Sequence, residues 1–173
     1  MNDVIEMMKT RRSVRKFKSE MPSKELIDQV VEAGLYAASG MDRQGVITLV
    51  ITQKELRDKL SQANAKIMGK EDFDPFYGAP CVLVVLANKN NPTYLYDGSL
   101  VMGNLMLAAH ANGLGSCWIH RAKEEFEQET YQSLLKDLGI EGNWEGIGHC
   151  VLGYADQEPT PHPRKENRVY VID

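Results

Sequence analysis

The sequence lacks the patterns that disulfide-rich, metal-binding and membrane-spanning proteins need. Its three cysteines, Cys81, Cys117 and Cys150, lie far apart and form no C-x-x-C pair, which argues against a disulfide framework, a zinc site or an iron–sulfur cluster. No apolar run is long enough to span a bilayer, and the N-terminus has neither the basic start nor the apolar core of a signal peptide. We therefore expect a cytoplasmic protein whose cysteines are buried, unpaired side chains.

The motifs of several catalytic and nucleotide-binding classes are also missing. No glycine-rich turn follows an opening strand, so the sequence has neither a dinucleotide fingerprint nor a Walker loop. It has no G-x-S-x-G elbow, and the two histidines inside apolar segments, His110 and His149, do not have metal-ligand spacing. Both are predicted to be satisfied core histidines. The sequence therefore indicates neither a nucleophile nor a metal of the protein's own.

Positive charge is concentrated at two places, near the two ends of the chain. The formal net charge is −4, which argues against a nucleic-acid partner. Residues 9–18 nevertheless contain six Lys or Arg and no acid, and Arg164, Lys165 and Arg168 form a second cluster. Guanidinium groups match the spacing of phosphate oxygens, so the two clusters suggest one shared anionic ligand. A solvated basic turn is the ordinary alternative for such a run.

Hydrophobic periodicity predicts a single α+β domain over residues 1–173, in which a helix comes first and strands are spaced among helices. Residues 81–87 are apolar on both faces and predict a central strand, while 100–111 predict a helix that is apolar all round. Ser23 is expected to cap the second helix, and residues 52–55 read as a capping box for the third. The predicted helices are at 3–8, at 23–38, one that starts at the capping box 52–55, at 100–111, and at 122–138, the last exposed and acidic. The predicted strands are at 46–51, 81–87, 116–119, 146–154 and 169–172.

Two segments each allow two interpretations. Residues 67–79 form a predicted loop whose aromatic side chains, Phe73, Phe76 and Tyr77, either line the entrance to a ligand site or pin the loop to the core. The predicted strand at 169–172 follows a proline-rich segment. It either reaches a neighbouring subunit or forms an edge of its own sheet.

Four blocks of sequence, taken together, closely resemble one known family, the nitroreductases. In chain order the blocks are Arg11-Arg12-Ser13-Val14-Arg15, Ala38-Ser39-Gly40-Met41-Asp42-Arg43-Gln44, Gly113-Leu114-Gly115-Ser116-Cys117-Trp118-Ile119 and Pro163-Arg164-Lys165. The resemblance spans nearly the whole chain and points to the compact branch of these FMN-dependent oxidoreductases. It implies a nitroreductase-like α+β fold, with a central mixed or antiparallel sheet flanked by helices. The C-terminal strand can then be exchanged with the partner subunit.

The resemblance also implies which residues bind the flavin. Arg11, Arg12, Ser13 and Arg15 would hold the phosphate, the ribityl chain and the pyrimidine edge, and Arg164, followed by Lys165, would reach the phosphate from the other end of the chain. In a homodimer with shared active sites, a loop of the partner subunit would approach the flavin; its residues are Ser39, Gly40, Met41, Asp42 and Gln44. A backbone N–H in the segment Ile119, His120 and Arg121 would meet the hydride-accepting nitrogen. Asp42 stands where many relatives carry Asn.

The function implied by this resemblance is hydride transfer from NADH or NADPH, through bound FMN, to a small-molecule acceptor such as a nitroaromatic or a quinone. Two half-reactions in one pocket predict ping-pong kinetics, and the cofactor supplies the chemistry that the side chains do not. Two alternatives keep the flavin: a sensory module without turnover, and reductive dehalogenation or flavin destruction on the same fold. A third, binding of nucleic acid or a membrane surface by the basic stretch, is disfavoured by the net charge.

Overall fold

The computed structural model describes residues 3–173 and centres on a four-stranded antiparallel sheet. Its strands are β1 (Val46–Ile51), β2 (Cys81–Asn88), β3 (Gly115–Ile119) and β4 (Trp144–Gly153), and their spatial order is β1–β2–β4–β3. The four strands predicted in these places are confirmed, with small shifts at their ends. Among the described residues β1 and β3 are the two edges, and β2 and β4 lie inside the sheet.

Helices cover both faces of the sheet. They are α1 (Asp3–Thr10), α2 (Lys24–Leu35), α3 (Lys54–Met68), α4 (Tyr94–Ala111), α5 (Ala122–Phe126) and α6 (Glu129–Asp137). Alternate side chains of β2 point to opposite faces. Val82, Val84 and Leu86 pack with buried residues of α3, α5 and α6, whereas Leu83 and Val85 pack with those of α2 and α4. The predicted central strand is therefore confirmed, because β2 is apolar on both sides. None of the described helices is long and apolar enough to cross a membrane.

The ends of the helices show which local signals were correct. Ser23 caps α2 as predicted, since its hydroxyl accepts a hydrogen bond from the Leu26 N–H at 3.3 Å. The predicted capping box at 52–55 is wrong: α3 does begin at Lys54, but its cap residue is Gln53, whose side chain makes no capping hydrogen bond. The predicted helix at 100–111 begins earlier, since α4 starts at Tyr94. Its cap residue Thr93 makes no side-chain capping hydrogen bond, and its Oγ1 donates to Asp97 Oδ2 at 2.9 Å.

The predicted exposed helix at 122–138 is two helices, and part of it is buried. The chain breaks after α5 and restarts at Glu129. Phe126, Tyr131 and Leu135 all lie in the core, which a continuous exposed helix would not achieve. Glu125 is also fully buried, and its Oε2 lies 2.6 Å from Nε2 of the fully buried His149. His149 lies in the core as predicted, but it is not a satisfied histidine, because neither ring nitrogen has a hydrogen bond of normal geometry among residues 3–173. Its acidic neighbour was not foreseen.

The predicted strand at 169–172 does not form on this chain's own sheet. No helix or strand occurs in residues 159–173, and Val169, Tyr170, Val171 and Ile172 are largely exposed. The interpretation of this segment as an edge strand of its own sheet is therefore wrong. Its exchange with a partner subunit stays a prediction.

The loop after α3 is fixed to the core by one buried arginine. The Arg57 guanidinium donates to Ala79 O at 3.0 Å and to Asp74 Oδ2 at 2.6 Å, and it lies over the ring of the fully buried Phe76. Asp74 also accepts hydrogen bonds from Ser61 Oγ and from two backbone N–H groups of the loop. Burial raises the pKa of Asp74, but these donors outweigh it and leave that pKa below its usual value. Phe76 thus pins the loop to the core.

The three cysteines are buried and form no disulfide, as predicted. Burial raises the pKa of the Cys81 thiol to about 12 and also raises that of Cys150, its neighbour on β4. The pKa of Cys117 is raised as well, although nearby Arg15 and Ser13 oppose the effect of burial. These thiols are therefore protonated at neutral pH and pack as small apolar side chains.

Candidate functional site

The basic stretch after α1 is held against edge strand β3 by main-chain pairing. Ser13 bridges Ser116 in parallel, and the Val14 N–H donates to Ser116 O at 2.9 Å. Val14 and Phe17 are buried in the core, which fixes the direction of the segment. The polar side chains between and before these anchors, including Arg11 and Arg15, then project from a rigid strand-like support. The stretch is therefore not a loose solvated turn.

The two ends of the chain meet at one cavity of about 540 Å³. Its lining residues are Arg11, Arg12, Ser13 and Arg15 from the basic stretch, and Gln157, Pro159, Thr160, His162 and Arg164 from the C-terminal segment. The structure thus brings Arg164 of the second predicted cluster to the basic stretch, whereas Lys165 and Arg168 do not line the cavity. Gln157 and Thr160 were missed, because they belong to no motif and come close only through the fold.

The arginines of this cavity lack the partners that buried charge normally has. Arg11 Nη1 and Arg12 Nε are buried, and neither has a hydrogen-bond partner among residues 3–173. In the same part of the chain, no carboxylate oxygen lies within 4.0 Å of the guanidinium groups of Arg11, Arg12 or Arg15. A buried cation without a partner is costly. A phosphate group would supply both the charge and the acceptors, so the cavity fits the phosphate end of FMN.

His110 supports the start of the basic stretch from the opposite side. It is only partly buried at the end of α4, so its prediction as a core histidine is wrong. Its Nε2 lies 2.9 Å from Oγ1 of Thr10, whose hydroxyl also lies 2.8 Å from Glu6 O. Burial lowers the pKa of His110, and the positive charges of Arg11 and Arg12 lower it further. Sequence reasoning missed this contact because Thr10 and His110 are distant in the chain.

A second cluster surrounds the turn that follows β3. Ile119 is buried at the end of the strand, His120 is exposed, and Arg121 adopts a left-handed backbone with a φ of 78°. The side chain of Asn64, fully buried on α3, donates to His120 O at 2.8 Å and accepts from Arg121 Nε at 3.0 Å. The turn is therefore held in one conformation by a single amide. The sequence analysis did not single out Asn64, although a polar residue on the buried side of α3 indicates a side chain with a specific partner.

The loop at 39–44 lies far from the arginine cavity within one chain. It leads into β1, whereas the basic stretch pairs with β3 at the opposite edge of the sheet. The Gly40 N–H donates to Asp97 Oδ1 at 3.0 Å, and the Gln44 N–H donates to Ser39 Oγ at 3.0 Å. Met41 and Asp42 of this loop are exposed and have positive φ. The structure of one chain does not bring this predicted flavin loop to the other predicted residues.

Comparison with known proteins supports the first three of the four sequence blocks; the fourth, Pro163-Arg164-Lys165, lies beyond the matched residues. Residues 8–154 match the sequence profile of the nitroreductase family. A protein of Methanothermobacter thermautotrophicus, provisionally named NADH dehydrogenase/NAD(P)H nitroreductase, is 29% identical over 120 residues, or 67% of this chain, and the match spans only 60% of that protein. An iodotyrosine deiodinase of Thermotoga neapolitana is 28% identical over 186 residues, with 96% of each chain covered.

Solved structures show the same fold. A nitroreductase of Desulfitobacterium hafniense, crystallised with bound FMN, is 27% identical and has a TM-score of 0.87, with 100% of both chains covered. Its agreement with this sheet and these helices confirms the predicted nitroreductase-like α+β fold. The profile match covers most of the chain and includes the basic stretch, the 39–44 loop and the turn after β3. The chain therefore belongs to the nitroreductase family of oxidoreductase enzymes.

Proposed function

We propose that the protein is an FMN-dependent oxidoreductase that passes hydride from NADH or NADPH to a small acceptor such as a nitroaromatic or a quinone. The observation that carries the proposal is the pair of buried, unpartnered guanidinium atoms, Arg11 Nη1 and Arg12 Nε, in the cavity where both ends of the chain meet. An anionic cofactor would supply both the acceptors and the opposite charge, whereas a neutral ligand would supply acceptors alone.

Different residues of the cavity would bind different parts of the cofactor. Arg11, Arg12 and Arg164 would bind its phosphate, while Ser13 and Arg15, further along the same strand-like segment, would contact the rest of the molecule. The turn at 119–121 would face the reactive ring. When bound, FMN supplies the two-electron chemistry, so the protein needs no nucleophile. Donor and acceptor use one place in turn, which gives ping-pong kinetics.

The active site is proposed to be completed in a homodimer. The loop with Ser39, Gly40 and Gln44 lies at the wrong edge of the sheet for its own chain's cavity, and a partner subunit can bring it there. α4 also exposes Leu95, Tyr96 and Leu100 on its outer side, an apolar surface suited to a protein contact. The exposed apolar segment 169–172 would pack on the partner.

Buried, unpaired thiols suit a reducing compartment, so we place the enzyme in the cytoplasm.

The test is the flavin itself. Purified protein should be yellow, bind one FMN per chain and oxidise NADH or NADPH when an acceptor is added. Arg11→Ala combined with Arg15→Ala should lose the flavin, while Lys18→Ala, which removes an exposed cation outside the cavity, should keep it. Colourless protein that FMN cannot reconstitute would refute the proposal. Flavin-loaded protein that turns over no donor would instead support a sensory module.

Reductive dehalogenation is the second candidate, because the deiodinase of Thermotoga neapolitana aligns with 96% of this chain. The same FMN site serves either reaction, so cofactor binding does not separate them. Halide release from an iodinated phenol by the reduced, flavin-loaded protein would favour this candidate. Reduction of a nitroaromatic with no halide release would favour the first.

A further inference from the structure

The C-terminal segment is anchored to the body of the protein just after it leaves β4. Phe17 and Ala155 form an antiparallel bridge. One residue later, the Asp156 N–H donates to Lys16 O at 2.9 Å, and the Asp156 carboxylate lies 2.7 Å from Lys16 Nζ. The anchor therefore joins the C-terminal segment to the same basic stretch that lines the arginine cavity.

Beyond Asp156 the segment is held by no polar contact. Within the described part of the chain, no residue from 157 to 173 forms a hydrogen bond or an ion pair with the rest of the protein. Pro159, Pro161 and Pro163 have no backbone N–H to donate, and every residue after 159 is exposed. A segment with so few contacts opens at low cost in free energy.

The charges that line the cavity oppose its closure by this segment alone. Arg164 lies on the C-terminal side of the cavity, and Arg11, Arg12 and Arg15 belong to the basic stretch on the other side. Among the residues that the structure describes, none of these four guanidinium groups has a carboxylate oxygen within 4.0 Å. The like charges repel one another. A bound anion reverses the sign of this interaction, because it attracts the arginines of both sides.

We propose that residues 157–164 form a strap, which closes over the cavity when a phosphate group binds there and opens when that group leaves. The inference rests on the proposed function, which places the phosphate of FMN between the basic stretch and Arg164. The strap pivots at the anchor formed by Asp156. Since the anion favours the closed position and the unpaired arginines favour the open one, occupancy of the cavity decides where the strap lies. Closure then slows the release of the cofactor.

The test is limited digestion with trypsin, which cleaves after Arg164, Lys165 and Arg168, followed by mass spectrometry of the shortened chain. Saturating FMN should slow the removal of this tail about tenfold relative to the apo-protein, because cleavage follows the population of the open segment. Riboflavin, which has the same ring and ribityl chain but no phosphate, should slow it less than about twofold. Inorganic phosphate should also protect the tail, when compared with chloride at equal ionic strength.

Variants of the tail show whether closure of the strap retains the cofactor. Arg164→Gln should lose most of the protection and release FMN about tenfold faster. Arg168→Gln removes the other arginine of the tail, which does not line the cavity, and should change the release rate less than about twofold. Pro161→Gly combined with Pro163→Gly alters no charge and no lining residue. It should still release FMN about threefold faster, because a more flexible strap loses more conformational entropy on closing.

The outcomes separate the strap from the proposed function. FMN-loaded protein whose tail is cleaved within about twofold of the apo-protein rate would overturn the inference and leave the proposed function intact. Equal protection by FMN and riboflavin would do the same. Wild-type protein that binds no FMN would instead overturn the proposed function. Protection by inorganic phosphate would then still support the strap, and its absence would overturn the strap as well.

Discussion

Arg57 and Arg11 are both withdrawn from solvent, but their guanidinium groups have opposite surroundings. Arg57 meets the carboxylates of Asp58 and Asp74 and the carbonyl of Ala79, so its charge and donors are satisfied within the chain. Arg11 lies at a cavity with a buried nitrogen that has no partner among the described residues. The first arrangement stabilises the fold by itself. The second leaves a donor without a partner among the described residues, and we propose that a ligand supplies it.

The same contrast separates two regions of the molecule. In the closed region, formed by α3, the loop at 69–80, α5 and the adjoining part of β4, ionisable side chains face partners in the same chain: Arg57 faces Asp74, and Glu125 faces His149. In the open region, around the basic stretch and the turn at Arg121, lysines such as Lys16 pair with carboxylates, but no arginine has a carboxylate partner among residues 3–173. Substitutions should therefore affect stability in the closed region and ligand binding in the open region.

The largest effect is expected in the closed region at Glu125. Glu125→Ala removes the one acidic partner that the fully buried His149 has among residues 3–173, and breaking such a pair typically costs about 3–5 kcal/mol of unfolding free energy. Urea unfolding of the apo-protein measures this loss. Removing both groups together, as Glu125→Leu with His149→Leu, should recover most of it. A loss below about 1 kcal/mol for Glu125→Ala would show that the pair is not a structural element.

Asp74→Ala should have the next largest effect, about 2–3 kcal/mol, because it removes the charged acceptor of Arg57 and of three other donors. Asp72→Ala, at an exposed position of the same loop, is the matched control and should change the unfolding free energy by no more than about 0.5 kcal/mol.

Because the pKa of Asp74 is lowered in the folded protein, its contribution to stability depends on pH. Its stabilisation is present above the usual pKa of an aspartate and is lost as the pH falls through the lower, folded-state value. Unfolding midpoints measured down that range should converge for wild type and variant.

Arg11→Ala should show the reverse pattern in the open region. The variant should bind FMN about 10–100-fold more weakly, the equivalent of about 1.5–3 kcal/mol for a charged hydrogen bond, with no loss of apo-protein stability. Quenching of flavin fluorescence gives the affinity, and urea unfolding gives the stability. Arg57→Ala is the matched control: it should lose stability, while any folded fraction keeps its flavin affinity. Equal effects of the two substitutions on stability would contradict the division into two regions.

The smallest effect concerns His110, whose pKa is lowered by burial and by Arg11 and Arg12. A histidine with a lowered folded-state pKa contributes stability above its unfolded-state pKa and loses it as the pH falls towards the folded-state value. The apo-protein should therefore lose stability between about pH 7 and pH 5. His110→Gln should reduce this slope, and so should FMN, whose phosphate offsets the nearby arginines. Thermal melts across this range test both expectations, and an unchanged slope in His110→Gln would refute the assignment to His110.

The sequence was most informative where the signal was local or compositional. Ser23 acts as a cap through its own hydroxyl, and β2 is central because its side chains are apolar on both faces. The basic stretch and Arg164 could be linked by charge alone, because two isolated cationic clusters in an acidic chain suggest one anion. These inferences needed no knowledge of which distant residues meet.

The failures share the opposite cause. Asn64 and Glu125 each act through a partner more than twenty residues away, and no local pattern encodes such a pairing. The break between α5 and α6 is likewise imposed by burial of Phe126 and Tyr131, since helix propensity alone favours continuity. The segment 169–172 has the composition of a strand but finds no pairing edge on its own sheet. A segment with strand-like composition forms a strand only where another strand is available to pair with it.

The three buried cysteines can report how fast different parts of the sheet open, because each must be exposed before it can be labelled. A thiol reacts with alkylating reagents as the thiolate, so Cys81 and Cys150 are inert while β2 and β4 stay closed around them. Cys117 occupies edge strand β3 beside the basic stretch, where opening requires less of the molecule to move. Their labelling rates would measure separately the opening of the centre of the sheet and of its edge beside the basic stretch, in the natural sequence and without any introduced reporter.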